Sequence, residues 1–260
     1  MDLSICIVNW NTRELLRQCL LSIYNSVHDM DFEVLVVDNA STDGSSEMVR
    51  REFPAARLFA NDGNTGFAAG CNLAIKNSKG RNILLLNSDT VAIPGAMSTM
   101  AEFLDSHPEA GVVGCRLLNP DGTVQLSCRK FPSLSWDYIR TTLLSKAYHH
   151  FKPLRSVLNS LVHADSPAGR RSVDWVSGAC LMTRREVFDS VGLLDERFFM
   201  FCEEIDWCYR AKRSGWRIQY LPDAHVIHYG GGSSRHQRLL TYWALAKSTY
   251  HYFRKLWVEG

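Results

Sequence analysis

The chain has 260 residues, 46% of them hydrophobic and 22% charged, with a formal net charge of +2. This composition is typical of a folded globular protein and excludes disorder, collagen and coiled coil, and the charge balance is too even for a generally basic nucleic-acid binder. No apolar stretch reaches the roughly 18 residues that a membrane span needs, and no basic segment precedes the strand-like run at Leu3, so we expect no signal peptide and a cytoplasmic location.

The first half of the chain alternates short β-rich runs with segments of helical periodicity. This alternation predicts an α/β fold with a mainly parallel sheet and helices on both faces. One of the strands is almost entirely apolar, as expected where both faces of a sheet are covered. The predicted strands are Leu3–Val8, Phe32–Val37, Arg57–Ala60 and Asn82–Leu86, and the predicted helices are Thr12–Ser26 and Phe67–Asn77.

Polar residues follow all four of these strands, as Asn9–Asn11, Asp38–Asn39, Asn61 and Asn87–Asp89. Ligands of such sheets bind beyond the carboxyl ends of the strands, so these residues predict a ligand site. No Gly-x-Gly-x-x-Gly or Gly-Lys-Ser/Thr follows the first strand, which argues against a dinucleotide dehydrogenase and a P-loop NTPase.

Two interpretations stay open at these strand ends. Asp38 either accepts hydrogen bonds from a nucleobase or ribose, or belongs to a turn that caps a helix. Asp89 either helps to hold a divalent cation against a diphosphate, or lies in another turn.

The second half of the chain is less regular. A hairpin turn is predicted at Asn119–Gly122, and the aromatic, basic residues 131–171 are interpreted as an insertion or flexible flap. Residues 230–234 indicate a mobile loop, so we divide the chain into a domain over 1–234 and a C-terminal helical extension over 235–260. Regular structure is predicted over Val173–Met182, from Arg184, over Glu203–Ser214, near Ile218–Leu221 and Ala224–His228, and in a final helix Leu239–Trp257.

Eight cysteines are present, and none forms a Cys-x-x-Cys motif. Several lie in apolar runs, and a chain of this length needs no disulfides for stability. We expect buried, reduced thiols.

Three carboxylates fall within Glu203–Asp206, at the start of a predicted helix. Acidic residues are favoured there by the helix dipole alone. They also fit a general base whose pKa is raised by its neighbours. His228 ends an apolar run; it is either a packed histidine or a ligand that completes an acidic metal site.

Taken together, the chain resembles family 2 glycosyltransferases of the GT-A fold, and most of all their rhamnosyltransferase-type members. The resemblance implies a Rossmann-like, mainly parallel central sheet flanked by helices, with a C-terminal acceptor-side region. It extends roughly from Leu3 to Ser234 and rests on ordered blocks, which are Ile7–Asn11, Val36–Gly44, Asn64–Asn72, Leu85–Asp89, Trp175–Cys180, Asp195–Trp207 and His228.

The resemblance implies metal-dependent transfer of a sugar from a nucleoside diphosphate donor, with inversion at the anomeric carbon. It assigns a divalent cation, Mg²⁺ or Mn²⁺, to Asp89 and His228, and the catalytic base to Glu204 with Glu203 and Asp206 beside it. The donor nucleotide is assigned to Asn9, Asn11, Asp38, Asn39, Asn61, Gly66, Phe67, Asn87 and Ser88. The sugar and acceptor side is assigned to Trp175, Ser177, Gly178, Asp195 and Glu196.

Two positions depart from the family's pattern. Asn87 stands where a first Asp is common, so metal binding depends more on Asp89, His228 and the substrate phosphates. Glu204 replaces the usual Asp, which leaves open whether Glu203 or Glu204 is the base.

The donor and the partners are predicted from the same resemblance. The preferred donor is dTDP-L-rhamnose and the acceptor a saccharide, expected to be lipid-linked, in cell-surface polysaccharide synthesis. A UDP-hexose or UDP-hexosamine donor, or an inactive sugar-nucleotide-binding scaffold, are the alternatives; no nucleic-acid partner is expected. Aromatic and basic residues mix in 131–171 and in the final helix, which also fits ordinary packing or a dimer contact. They suggest peripheral docking on an anionic membrane at the inner leaflet.

Overall fold

The computed structural model of the chain describes residues 1–132, 169–231 and 238–259. Its strands are β1 (Leu3–Asn9), β2 (Phe32–Asp38), β3 (Arg57–Ala60), β4 (Asn82–Asn87), β5 (Thr90–Ala92), β6 (Ala110–Leu118), β7 (Val124–Gln125), β8 (Cys128–Arg129), β9 (Arg171–Val173), β10 (Trp175–Val176), β11 (Cys180–Arg184) and β12 (Arg217–His228). Its helices are α1 (Arg13–Ser26), α2 (Ser45–Glu52), α3 (Phe67–Asn77), α4 (Ala96–Ser106), α5 (Arg185–Val191), α6 (Glu203–Arg213) and α7 (Arg238–Glu259).

A large central sheet has the strand order β3-β2-β1-β4-β11-β6-β12-β5. Strands β3, β2, β1 and β4 are parallel, and β6 is parallel to β12, whereas β11 and β5 run antiparallel to their neighbours. The register sets Asn9 opposite Asp38 and Val8 opposite Asn87. The mainly parallel sheet is therefore confirmed, and the polar ends of these strands meet at one edge.

Helices cover both faces of this sheet, which explains the apolar strands. In β4, Leu84 and Leu86 belong to the core beneath α1, α2 and α4, whereas Ile83 and Leu85 belong to the core beneath α3, α5 and α6. Alternate side chains of a strand point to opposite faces, so burial on both faces requires an unbroken apolar run. Trp207 of α6 is fully buried in the second core.

Several predicted boundaries change in the structure. The two short strands predicted after Ile218 form the single strand β12, whose register against β6 shifts between Leu221 and His225. Arg171, the predicted last residue of the flap, already belongs to β9. Residues 133–168 of that segment, and 232–234 of the predicted loop, lie outside the described residues.

Other predictions agree closely with the structure. The helix predicted over Glu203–Ser214 is α6, and the predicted final helix lies within α7. Seven of the eight cysteines are buried thiols, as expected. Among the described helices, none combines the length and hydropathy that crossing a bilayer requires.

Gly114 of β6 allows the segment at β10 to lie directly on the sheet. A Cβ atom at Gly114 would stand 2.5 Å from Val176 Cβ, closer than real carbon atoms approach. We expect Gly114→Ala to lower the free energy of unfolding by about 1–3 kcal/mol through overpacking, measured by urea denaturation.

Gly63→Ala is the matched control for this substitution. Among the described residues no atom lies within 4 Å of a Cβ at Gly63, so this variant should unfold at the wild-type urea concentration or slightly above it. Equal stability of Gly114→Ala and wild type would show that β10 can move away from the sheet at little cost.

Candidate active site

The first two strands of the parallel group end in a buried, hydrogen-bonded pair. Asn9 Nδ2 donates to Asp38 Oδ1 at 2.8 Å, and the two side chains are 0% and 2% exposed. The hydroxyls of Ser41 and Ser46 donate to the same carboxylate at 2.6 and 2.8 Å. Both oxygens of Asp38 therefore accept hydrogen bonds from the protein, and the carboxylate braces the loop after β2.

The other side chains assigned to the nucleotide link neighbouring loops. Asn11 Oδ1 accepts a hydrogen bond from the Thr42 amide at 2.7 Å. Asn61 Nδ2 donates to Asn39 Oδ1 at 2.8 Å, and Asn39 Nδ2 donates to the Gly66 carbonyl at 3.0 Å. The structure thus gathers these residues along the carboxyl edge of β1, β2 and β3, as predicted.

Gly66 joins this edge to the segment that precedes α6. Its φ is +89°, and a Cβ there would lie 2.5 Å from the Phe199 carbonyl oxygen. The next residue, Phe67, donates its amide to the same carbonyl at 2.7 Å. Only glycine satisfies both the positive φ and the close approach, which explains why glycine stands at this position.

Asp89 and His228 meet after β4 and at the end of β12. His228 Nε2 lies 3.3 Å from Asp89 Oδ1 and 3.4 Å from Asn87 Nδ2. Ser88 contacts Thr12 through their hydroxyls at 2.9 Å, on the side of α1. The two residues assigned to the metal are therefore adjacent although 139 positions separate them in the chain.

Gln125 of β7 sets the orientation of His228. Its Nε2 donates to the His228 carbonyl at 2.6 Å and to Asn119 Oδ1 at 2.7 Å. Its Oε1 lies 2.9 Å from His228 Nδ1 and is the acceptor of that bond, so Nδ1 carries the proton. In the neutral ring Nε2 then offers a lone pair towards Asp89. Sequence reasoning missed this role of Gln125, because a glutamine in a hairpin strand gives no signal of its own.

The donor set at Asp89 and His228 fits a divalent cation. Asp89 Oδ1 and His228 Nε2 face each other, and a carboxylate oxygen and an imidazole nitrogen so placed can share a divalent cation as ligands. Over the described ranges no cluster of three or more His, Cys, Asp or Glu side chains forms a metal site. A cation with two protein ligands, Asp89 and His228, would take its remaining ligands from phosphate oxygens.

Glu203 and Glu204 open α6 after a sharp turn. Phe201 and Cys202 have φ values of +72° and +66°, unusual for residues other than glycine. Within the part of the chain that the structure describes, Oε2 of each glutamate is buried without a hydrogen-bond partner. A Cβ at Gly178 would lie 3.5 Å from Glu204 Cβ, so this residue packs directly against the glutamate.

Burial changes the pKa of both carboxyl groups. It raises the pKa of Glu203 well above its ordinary value, and the charge of Glu204 adds to the effect. Burial also raises the pKa of Glu204, but hydrogen bonds from backbone groups, including that of Gly178, and the charge of Arg129 oppose the rise. Adjacent carboxyls share one charge more easily than two, and the stronger rise at Glu203 favours the proton on Glu203 over Glu204.

Asp206 and Asp195 are held by cations. Asp206 accepts from Arg210 at 2.9 Å and pairs with Lys255 of α7 at 2.7 Å. Lys255 also donates to Asp195 at 3.1 Å. Partial burial raises the pKa of Asp195, but hydrogen bonds from Arg197 and the charge of Lys255 outweigh it and the pKa lies below the ordinary 3.8. The Asp206 carboxylate is thus paired with cations, unlike the two Oε2 atoms of Glu203 and Glu204.

The remaining residues assigned to the acceptor side also make contacts within the protein. The Trp175 indole donates to the Lys130 carbonyl at 2.9 Å, and the Ser177 amide donates to a backbone carbonyl at 2.8 Å. Glu196 Oε1 accepts from Asn72 Nδ2 of α3 at 2.9 Å. These bonds hold the segments on either side of Gly178 and before α6 in place.

One backbone hydrogen bond connects the two halves of the site. The Asn87 amide donates to the Ala179 carbonyl at 3.0 Å. Gly178, which packs on Glu204, immediately precedes Ala179, and Asp89 follows Asn87 by two residues. The predicted base and the predicted metal ligands therefore lie on the same edge of the sheet.

Comparisons with known proteins point to one family. The family model described as glycosyl transferase family 2 matches residues 4–192. The chain is 30% identical over 228 residues to an N-acetylglucosaminyl-diphospho-decaprenol L-rhamnosyltransferase of Mycobacterium tuberculosis, covering 84% of this chain and 73% of that protein. It is 25% identical over 259 residues to the rhamnosyltransferase WbbL of Escherichia coli, covering 96% and 92%.

Solved structures show the same fold at low sequence identity. A mannosyltransferase of Pyrobaculum calidifontis, in complex with GDP-Man and Mn²⁺, matches with a TM-score of 0.63 at 19% identity, over 97% of this chain and 64% of that one. Staphylococcus aureus TarS 1-349 matches with a TM-score of 0.60 at 18% identity, over 89% and 61%. The chain thus spans less than two thirds of each of these solved chains.

The family model covers well over half of the chain, and the two solved structures share its fold over 89% and 97% of its length. The chain belongs to glycosyl transferase family 2 and has the GT-A fold.

Proposed function

We propose that this chain is an inverting, metal-dependent glycosyltransferase that transfers L-rhamnose from dTDP-L-rhamnose to a lipid-linked saccharide in cell-surface polysaccharide synthesis. The observation that carries the reaction type is the single edge shared by Glu204 and Asp89, through the Asn87–Ala179 hydrogen bond. The two rhamnosyltransferase relatives, which the chain matches over most of its length, support the donor sugar. The name of the mycobacterial relative supports a diphospho-lipid acceptor, which would be met at the inner face of the cell membrane.

An inverting transfer needs a proton acceptor at one end of the exchanged bond and charge neutralisation at the other. Glu204 Oε2, buried without a partner in the described residues, would take the proton of the acceptor hydroxyl as its oxygen bonds to the anomeric carbon. The bond from that carbon to the donor diphosphate breaks in the same step. A cation bound by Asp89 and His228 would neutralise the charge of the leaving diphosphate. Glu203, holding its proton, keeps a second negative charge away from the base.

The base assignment predicts different outcomes for two neighbouring substitutions. Glu204→Gln should lower kcat by about 10²–10⁴-fold, because no group remains to take the proton. Glu203→Gln should stay within about tenfold of wild type, since glutamine is neutral like the protonated acid. The wild-type rate should fall at low pH through the raised pKa of Glu204, above the ordinary 4.5.

Both effects are measured as transfer rates to a saccharide acceptor. The rate is monitored by the release of the nucleoside diphosphate. Each variant is first checked for wild-type thermal stability. If Glu203→Gln is the inactive variant and Glu204→Gln retains turnover, Glu203 is the base.

Gln125 provides a test of the metal site that does not depend on turnover. Gln125→Ala should weaken Mn²⁺ binding about 10–100-fold, because the orientation and tautomer of His228 are no longer set. The Mn²⁺ affinity is measured by calorimetric titration of Mn²⁺ into the protein in the presence of dTDP. Asn119→Ala is the matched control. It removes another partner of the Gln125 amide and leaves the acceptor of His228 Nδ1 in place, so the Mn²⁺ affinity of this variant should stay near wild type.

The donor nucleotide can be identified by thermal stabilisation. With Mn²⁺, dTDP should raise the melting temperature more than UDP or GDP, and EDTA should abolish the difference. A ligand at 100 times its Kd stabilises the native state by about 2.7 kcal/mol. A larger effect of UDP would replace rhamnose by a UDP-hexose or UDP-hexosamine as donor. No effect of any nucleotide would contradict both the enzyme and the sugar-nucleotide-binding scaffold.

A further inference from the structure

The outer face of α7 carries a straight row of aromatic and basic side chains. Trp243, Tyr250 and Trp257 are 74%, 69% and 80% exposed. They recur every seven residues, which keeps them within about 40° of one face of a helix and spreads them over about 21 Å. Lys247 and Arg254 are also exposed and follow Trp243 and Tyr250 by four residues, on the same face. We call these five residues the α7 outer face.

The opposite face of α7 is bound to the segments around the catalytic glutamates. Ser248 Oγ donates to the Met200 carbonyl at 2.8 Å, just before α6. Tyr252 is 2% exposed and packs in a cluster with Phe198 and Ile205. Lys255, another basic residue of this helix, faces inward and pairs with Asp206. One face of α7 is therefore packed against the rest of the protein, and the outer face makes no part of this packing.

The chemistry of the α7 outer face suits an anionic bilayer. Tryptophan and tyrosine concentrate at membrane–water interfaces, where the ring lies among lipid chains and the polar tip remains hydrated. Basic residues beside them are attracted to anionic headgroups. No Asp or Glu occurs from Arg238 to Val258, so nothing in this stretch opposes that attraction. We infer that the α7 outer face is the surface by which this protein docks on an anionic membrane.

Charge argues against a second copy of the chain as the occupant. Two outer faces brought together would place Lys247 and Arg254 against the same cations, with no acidic residue between Arg238 and Val258 to pair with them. A bilayer supplies the missing negative charge and accepts the rings. The inference rests on the proposed lipid-linked acceptor in one respect. Because α7 packs on the segment before α6 and on Ile205, docking would bring this end of α6 towards the membrane that carries that acceptor.

Vesicle co-sedimentation of the full chain tests the inference without using activity. Wild type should sediment with vesicles of phosphatidylcholine and phosphatidylglycerol, and weakly with phosphatidylcholine alone. Lys247→Glu/Arg254→Glu should lower the affinity for the mixed vesicles more than tenfold, because two attractions become repulsions. Trp243→Ser/Trp257→Ser should lower it comparably while leaving the charge unchanged.

Arg50→Glu/Lys76→Glu is the matched control, since both residues are exposed, lie outside α7 and undergo the same charge change. This control should bind vesicles like wild type. Three results would overturn the inference: wild type does not bind vesicles, both α7 variants bind like wild type, or the control loses binding as much as the α7 variants do. So would a wild-type dimer that the α7 variants convert to monomer, without any binding to vesicles.

Turnover with a water-soluble acceptor separates this inference from the proposed function. All variants should keep the wild-type kcat with such an acceptor, whereas the α7 variants should show a raised KM for an acceptor embedded in anionic vesicles. A wild-type protein that binds vesicles but transfers no sugar would contradict the proposed function and leave the docking surface standing. A wild-type protein that transfers sugar but does not bind vesicles would contradict the docking surface and support the proposed function.

Discussion

The alignment of parallel strand ends is the constraint on which the rest of this site depends. Asn9 and Asp38 stand opposite each other at the ends of β1 and β2, and their buried hydrogen bond fixes both loops that follow. β4 ends beside them, and the Asn87–Ala179 bond carries the same edge across to the segment before β11. Side chains from distant parts of the chain meet here because their strands share one direction and one register.

The edge also fixes the position of α6 and its two glutamates. Gly66 approaches the Phe199 carbonyl so closely that no side chain fits, and Phe67 donates its amide to the same atom. The chain then passes through two left-handed residues before α6 begins. Such conformations cost of order 1–3 kcal/mol each. Two buried carboxyl groups whose Oε2 atoms lack a partner among described residues add to this energetic cost.

Three carboxylates of one helix turn thus have two different environments. Glu203 and Glu204 lie where burial raises their pKa values, so protons can be taken and held. Asp206 lies between Arg210 and Lys255 and serves to join α6 to α7. Under the proposed function the first pair serves proton transfer, whereas Asp206 holds α6 against α7. Neighbouring charges, and not the residue type, separate the two roles.

Much of this organisation follows from sequence alone. Apolar runs ended by polar residues predict both the parallel strands and the edge where a ligand binds, because strand direction brings such ends together. The blocks around Asp38, Asp89 and Glu204 are each contiguous in sequence, so they can be recognised without a structure. The predicted split of β12 failed because a bulge between Leu221 and His225 interrupts the pattern without ending the strand.

Tertiary structure decided the contacts between residues far apart in the chain. Gln125 meets His228 only because β7 and β12 both pair with β6, on opposite sides of that strand. Lys255 turns inward and Arg254 outward because α7 packs against Asp206 and Phe198. The helical period of the sequence does not predict which face of α7 packs in this way. Sequence periodicity determines which side chains share a face, whereas the order of strands and the docking of helices determine what that face meets.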